Sequence, residues 1–261
     1  GSEGALSAFD DTSGENLVVI TYDLVAEQTV TAGDVMENTA TVTNFTAFES
    51  SVGATAINRA NADLTDTAKA QVDEVAIIKT LVGREFGEGR ANEVMVGEEF
   101  TFKVTIDLPE GSYENVILSD EVSIGGVFGD FDMLSARITG WDTNALTSSN
   151  GITDGSWGTV ASDKKSVSFD VGDLVNLGNN VLTDNVITFE VVAQSLGGQT
   201  AGAGDQLTNK AEFTADGVSE SASSRVELTE PQLTIDKTAP SGAVRAGTTV
   251  TYTIKVDNPV G

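Results

Sequence analysis

The sequence predicts an all-β chain of β-sandwiches in tandem, one of them complete and two partial. Two observations carry that prediction. Short runs rich in β-branched and aromatic residues alternate apolar with polar positions between Gly, Ser, Asn and Asp turns, and helical periodicity is nearly absent. Several of these runs also occur twice, in the same order, which is the mark of a repeat array.

Taken along the chain, the first run is N-L-V-V-I-T-Y-D-L-V-A within Glu15 to Ala26, which reads as a strand. Its counterpart is N-V-I-T-F-E-V-V-A at Asn185 to Ala193. Each leads to an Ala-Gly-Asp turn, Ala32-Gly33-Asp34 and Ala203-Gly204-Asp205. A half-buried strand then follows in both copies. Met36, Asn38, Ala40 and Val42 share one face of the first, and Leu207, Asn209, Ala211 and Phe213 share one face of the second. Ala68 to Val72 and Ala222 to Val226 read as closing strands.

A new domain also opens twice, at Val75 to Thr80 and at Leu233 to Thr238. A turn at Gly97 leads to Phe100, Phe102, Val104 and Ile106, and one at Gly247 leads to Val250, Tyr252, Ile254 and Val256. Pro109 and Pro259 stop these strands, since proline cannot donate to a ladder. Residues 1–71 are therefore expected to be the last strands of one repeat, 72–230 a complete repeat, and 231–261 the first strands of the next. Short links such as Glu227 to Pro231 would limit bending. Within the complete repeat, further strands are expected at Asn115–Val122, Met133–Trp141, Ser166–Val171, Val186–Val192, Leu207–Phe213 and Ser221–Leu228. Thr143 to Gly158 is expected to be an exposed loop, and Gly172 to Asn179 a single helical turn. About 160 residues can bury a competent core.

Composition narrows the function. The 261 residues carry 40 acidic side chains against 14 basic ones, a formal net charge of −26. That balance excludes nucleic acid and anionic membranes as partners. Disorder is the usual companion of such charge, but 39% of the residues are apolar and the alternation is regular. There is no cysteine and no histidine. Disulfides, thiolate sites, Ser-His-Asp triads and histidine metal ligands are thereby excluded. No apolar run reaches the length of a membrane span. No nucleophile-base pair for an external substrate is visible, so the chain is read as a protein that is not an enzyme.

One chemistry does stand out, and it comes from polar residues on apolar faces. Lys79 shares parity with Val75 and Ile77, and Lys237 with Leu233 and Ile235. Asp120 shares parity with Val116, Leu118 and Val122, and Asn209 with Leu207, Ala211 and Phe213. Burial lowers the pKa of a lysine and raises that of a carboxylic acid. A neutral amine is a nucleophile, and the amide carbon of Asn209 is its electrophile. A protonated Asp120 would polarise the carbonyl and shuttle protons as ammonia leaves. The product is a Lys79–Asn209 isopeptide bond, with proximity and a dry site supplying most of the rate. Asn38 and Lys237 are the counterparts in the partial repeats. The plainer readings are a snorkelling strand-end lysine, a turn asparagine bonded to backbone, and a loop-capping aspartate.

In sequence order, V-x-I-x-K-T, G-E-x-F-T-F-x-V-x-I-x-L-P, N-V-x-L-S-D and L-T-N-x-A resemble two related families. One is the bacterial surface-protein repeat of the domain of unknown function eleven type. The other is the fimbrial isopeptide-forming domain of pilins. The likeness spans essentially the whole chain, with a longer insertion between Asp120 and Asp184 than the plain repeat has. It implies that lysine, acid and asparagine hold the roles argued for Lys79, Asp120 and Asn209. It also implies tandem Ig-like β-sandwiches in an extracellular stalk, filament or sheath at the cell surface. The partners would be neighbouring repeats of the same chain and, in a fibre or sheath, other copies.

Other signals compete with this one. Asp10-Asp11, Asp130 with Asp132, and Asp170 with Asp173 are candidate calcium ligands. None has the spacing of a full calcium loop, which favours solvated acidic turns and no cofactor. Trp141 and Trp157 flank the 143–158 loop and form a candidate glycan-stacking platform, the basis of an alternative adhesin reading. Two packed tryptophans are the commoner outcome. Asn44-Phe45-Thr46 fits a glycosylation sequon.

Overall fold

The computed structural model describes residues 19–48, 56–85, 92–123, 130–196, 204, 206–229 and 233–257. All its regular elements are β-strands, and the described residues contain no helix, hence none able to cross a membrane. In chain order they are β1 (Val35–Phe48), β2 (Ala56–Gln71), β3 (Ala76–Arg84), β4 (Glu93–Met95), β5 (Glu99–Asp107), β6 (Gly111–Ser123), β7 (Asp130–Gly140), β8 (Leu146–Ser148), β9 (Thr159–Val160), β10 (Ser166–Asn176), β11 (Val186–Leu196), β12 (Gln206–Ala215), β13 (Val218–Thr229), β14 (Thr234–Thr238) and β15 (Thr253–Asp257).

Strands β3 to β13 form an Ig-like sandwich of two sheets. One has the order β3-β5-β11-β7, the other β4-β13-β12-β6-β10-β8 with β9 attached to β10. Alternation explains the packing. Phe100, Phe102, Val104 and Ile106 of β5 and Ile187, Phe189, Val191 and Ala193 of β11 are buried, as are Leu207, Ala211 and Phe213 of β12. The sheets interdigitate through pairs such as Phe169 of β10 and Phe189 of β11, whose ring centroids are 5.4 Å apart.

The chain enters and leaves this sandwich at opposite ends. Ala76 pairs with Asp107, beside the Leu108 N–H that donates to Asn185 O at 3.0 Å. Thr229 pairs with Met95, and the Ser195 hydroxyl donates to the Met95 carbonyl at that far end. Before and after the sandwich in the chain come two-stranded sheets, β1-β2 and β14-β15, with exposed apolar residues such as Val42, Leu64, Ile235 and Ile254. Paired motifs share backbone conformations: Gly97 and Gly247 both have φ 87°, and Gly33 and Gly204 have φ 80° and 94°.

Three expectations differ from the structure. The described part of the first run, residues 19–26, forms no strand. Its counterpart β11 is a strand because β5 and β7 flank it, whereas Val19, Ile20, Leu24 and Val25 are exposed. Gly172 to Asn179 is not a helical turn, because β10 runs through Asn176. A bulge at Gly172 (φ 67°) shifts the register and flips which parity faces inward, from Val167, Phe169 and Val171 to Leu174 and Asn176. An added Cβ there would strike the Ser149 hydroxyl. Finally, residues 143–158 are not a wholly exposed loop. Ala145 and Leu146 are buried, and β8 pairs with β10.

Candidate functional site

The two sheets each contribute to one buried polar cluster. On β3, Ile78 and Thr80 face solvent while Lys79 faces inward, opposite Val104 of β5. On β6, Asp120 lies between Ala211 of β12 and Val167 of β10. Asn209 lies opposite Val122, so it and Asp120 are diagonal neighbours on the inner face. Asp120 and Asn209 are fully buried, and the Lys79 side chain has no exposure either.

The Lys79 ammonium donates to Asp120 Oδ2 in a buried ion pair, and Nζ sits 4.7 Å from the centroid of the Phe102 ring. Asp120 Oδ1 and both polar atoms of the Asn209 amide lack a normal hydrogen-bond partner. Burying such groups unsatisfied costs roughly 1–3 kcal/mol each. Burial pushes Lys79 below the usual lysine range, with Asp120 opposing the shift. It pushes Asp120 up to about 6, against the opposing pull of the Lys79 charge and, more weakly, of the Asn209 amide. Both shifts favour one tautomer, a neutral amine beside a protonated acid. That tautomer, with an amide next to it, is what nucleophilic attack on Asn209 requires.

The counterpart residues have different surroundings. Asn38 is exposed on β1, where its amide donates to the Tyr22 hydroxyl. Lys237 is exposed on β14, with Nζ 4.7 Å from the Tyr252 ring centroid. That repeats the Lys79–Phe102 geometry without the burial.

The other candidates do not assemble into a site. Asp132 accepts from Lys164 at 3.1 Å and Lys165 at 3.3 Å. Partial burial raises its pKa, but the two lysines outweigh this and leave it below the ordinary carboxylate value. The Asp10-Asp11 pair lies outside the described residues, as do the side chains of Asp130 and of the Asn44 sequon, whose backbone belongs to β1. Asp170 accepts from Asn150 Nδ2 at 2.8 Å, and Asp173 from the Asn115 N–H at 3.3 Å. Among the described residues, no three carboxylates are grouped to hold a metal. The two tryptophans do not make a shared platform. Trp141 is a core residue whose indole donates to Leu146 O at 3.2 Å, while Trp157 is 66% exposed. The Arg137 guanidinium lies 5.5 Å from the Trp157 ring centroid.

Two buried amides escaped the sequence reading, Asn176 and its partner Asn185. Asn176 donates from Nδ2 to Leu108 O at 2.7 Å and Asn185 Oδ1 at 3.1 Å. The signal for Asn176 was the one that singled out Asn209, an amide sharing parity with a core residue, here Leu174.

No protein-family model and no curated protein matches the chain. Solved structures do. The C-terminal domain of the Streptococcus agalactiae AgI/II polypeptide BspA aligns with 76% of this chain and 59% of its own, at TM-score 0.41 and 13% identity. That of the Streptococcus pyogenes antigen I/II-family protein AspA covers 64% and 50%, at 0.38 and 14%. BcpA, the major pilin subunit of Bacillus cereus, covers 64% and 43%, at 0.36 and 13%. The chain thus spans less than two thirds of each of these structures.

Proposed function

We propose that this chain is a structural segment of an extracellular stalk, filament or sheath at the cell surface, built of tandem Ig-like repeats and stiffened by a self-made Lys79–Asn209 isopeptide bond. The observation that carries the proposal is the fully buried Asn209 amide, which has no hydrogen bond of normal geometry and lies beside the Lys79–Asp120 pair. Lys79 Nζ attacks Asn209 Cγ, and Asp120 gives its proton to the carbonyl oxygen. The tetrahedral centre collapses as Asp120 relays a proton from the attacking nitrogen to the leaving one and takes back the proton it lent to the oxygen. The C–N bond to the old amide nitrogen breaks and one ammonia departs, so atoms and charge balance. The segment acts on itself and on no external substrate. Its partners are neighbouring repeats of the same chain and, in an assembled fibre, other copies.

Intact mass of the purified chain tests this directly. A deficit of one ammonia, absent from Lys79→Ala and Asn209→Ala, supports the bond. A mass equal to the sequence leaves the three residues as a polar cluster and removes the cross-link from the proposal.

The exposure of Trp157 favours a second reading, an adhesin module that stacks a sugar ring on this indole. Glycan-array binding lost in Trp157→Ala supports it, and a silent array removes it.

A further inference from the structure

The sandwich corner at Pro109-Glu110-Gly111 is occupied by a loop from the part of the chain before β1. Ser112 donates from its N–H to Val30 O at 2.9 Å and from its hydroxyl to Gln28 O at 2.8 Å. Gln28 reaches further. Its Nε2 donates to Asn176 O at 2.7 Å, and its Oε1 accepts from the Gly178 N–H at 2.8 Å. Gly111 admits the loop because an added Cβ would run into the Val30 carbonyl. The base of the loop is pinned by the Gly33 N–H, which donates to Asp73 O at 3.1 Å.

The same two halves recur in the sequence. Gln28-Thr29-Val30-Thr31-Ala32-Gly33-Asp34 matches Gln199-Thr200-Ala201-Gly202-Ala203-Gly204-Asp205, a shared Q-T-x-x-A-G-D. Ile106-Asp107-Leu108-Pro109-Glu110-Gly111 matches Val256-Asp257-Asn258-Pro259-Val260-Gly261. Within the second copy, the Gly204 N–H donates to Leu228 O at 2.8 Å, the tether that corresponds to Gly33. The residues of the loop and of the corner thus recur together in the sequence.

We propose that the Pro109–Gly111 corner is a docking surface for the Q-T-x-x-A-G-D loop of the preceding repeat, and that this contact holds consecutive repeats at one fixed angle. The proposal rests on the tandem-repeat stalk described above and supplies its joint. The charges beside the joint oppose closure. A groove of about 760 Å³ there has Glu27, Asp73, Glu74, Asp107 and Glu110 on its walls. Like charges in one groove repel, so the neutral hydrogen bonds of Gln28 and Ser112 decide whether the joint stays shut.

The test is a distance distribution between spin labels on cysteines placed at Thr65 and Asp154, in an otherwise cysteine-free chain. The expected result is a narrow distribution whose width at least doubles in Gln28→Ala and in Gly111→Ala. Gln28→Ala changes no residue of the sandwich itself and guards against misfolding of the glycine variant. A broad distribution in the unsubstituted labelled chain, or an unchanged width in Gln28→Ala, overturns the docking surface. Intact mass of the same samples keeps the two proposals apart. A missing ammonia with a broad distribution removes the fixed joint alone, and a full mass with a narrow one removes the cross-link alone.

Discussion

Lys79 and Asp120 stand in opposite sheets, 41 positions apart, and their charged groups meet where neither side chain has any exposure to solvent. An ion pair so placed loses hydration on both sides, and its Coulomb attraction seldom exceeds that loss by much. Its value lies in the proton. A pair held dry exchanges it readily, and the exchanged form is an amine and an acid facing an amide.

Loss of the acid should block the proposed bond. In Asp120→Ala the chain is expected to keep its full mass, because no group remains to protonate the Asn209 carbonyl. Without the cross-link, the loop between residues 79 and 209 regains its freedom in the unfolded chain, a loss of about 5 kcal/mol by loop-closure entropy. Intact mass and urea unfolding check the two parts. An ammonia deficit in Asp120→Ala would rule out its role as proton shuttle.

An unbonded variant titrates in a defined direction. Asn209→Ala keeps the Lys79–Asp120 pair but forms no bond. Asp120 has its pKa raised to about 6 in the fold, chiefly by burial, so the folded state holds its proton more tightly than the unfolded chain. That contribution is full below the unfolded carboxyl value near 4 and is lost as pH rises through about 6. Lys79 is lowered by burial, so its contribution is full above the ordinary lysine value and is lost as pH falls through the lowered one. Between pH 4 and 6 the Asp120 effect governs this pair, and stability should fall by up to about 3 kcal/mol. Urea midpoints of Asn209→Ala, set against Asn209→Ala with Asp120→Asn, isolate it from the other carboxylates. Equal slopes would mean that Asp120 is not shifted.

The two tryptophans should separate in energy. Trp141→Ala empties a core site and is expected to cost about 3–5 kcal/mol. Trp157→Ala removes an exposed ring and its cation–π contact with Arg137, worth about 0.5–1 kcal/mol. Chemical denaturation of both variants measures the difference, and similar losses would contradict the burial assigned to Trp141.

Gly172→Ala should loosen β10. The new methyl would meet Ser149 at a backbone φ of 67°, a conformation costing about 1–3 kcal/mol for other residues. The expected outcome is a lower unfolding midpoint and faster hydrogen exchange at Val175, which pairs with Thr147. Unchanged exchange at Val175 would argue against the bulge.

Much of the fold was legible because β5, β11 and β12 alternate without interruption, so parity alone assigned their inner faces. Parity also brought Lys79, Asp120 and Asn209 to one interior. It failed where the backbone breaks step. The bulge at Gly172 reverses the inner parity of β10, and that reversal hid Asn176. It failed again at residues 19–26, since β-branched residues favour a strand only where a neighbouring ladder exists. Trp141 and Trp157 look alike in sequence, and their fates are set by which one the Leu146 carbonyl can reach. The Gln28 contacts were invisible for a related reason, since their partners at Asn176 and Gly178 are fixed by topology rather than by pattern.

The proposed Lys79–Asn209 bond, between the first strand of the sandwich and its penultimate one, would decide how far the segment can lengthen. About 130 residues lie between the two, a contour length on the order of 450 Å when drawn straight. With the bond closed, a pull applied at the two ends of the sandwich passes from β3 to β12 through a single covalent link, and that stretch of chain stays slack. Only the short tails outside the loop can extend. A filament of such segments would be nearly inextensible until a covalent bond breaks.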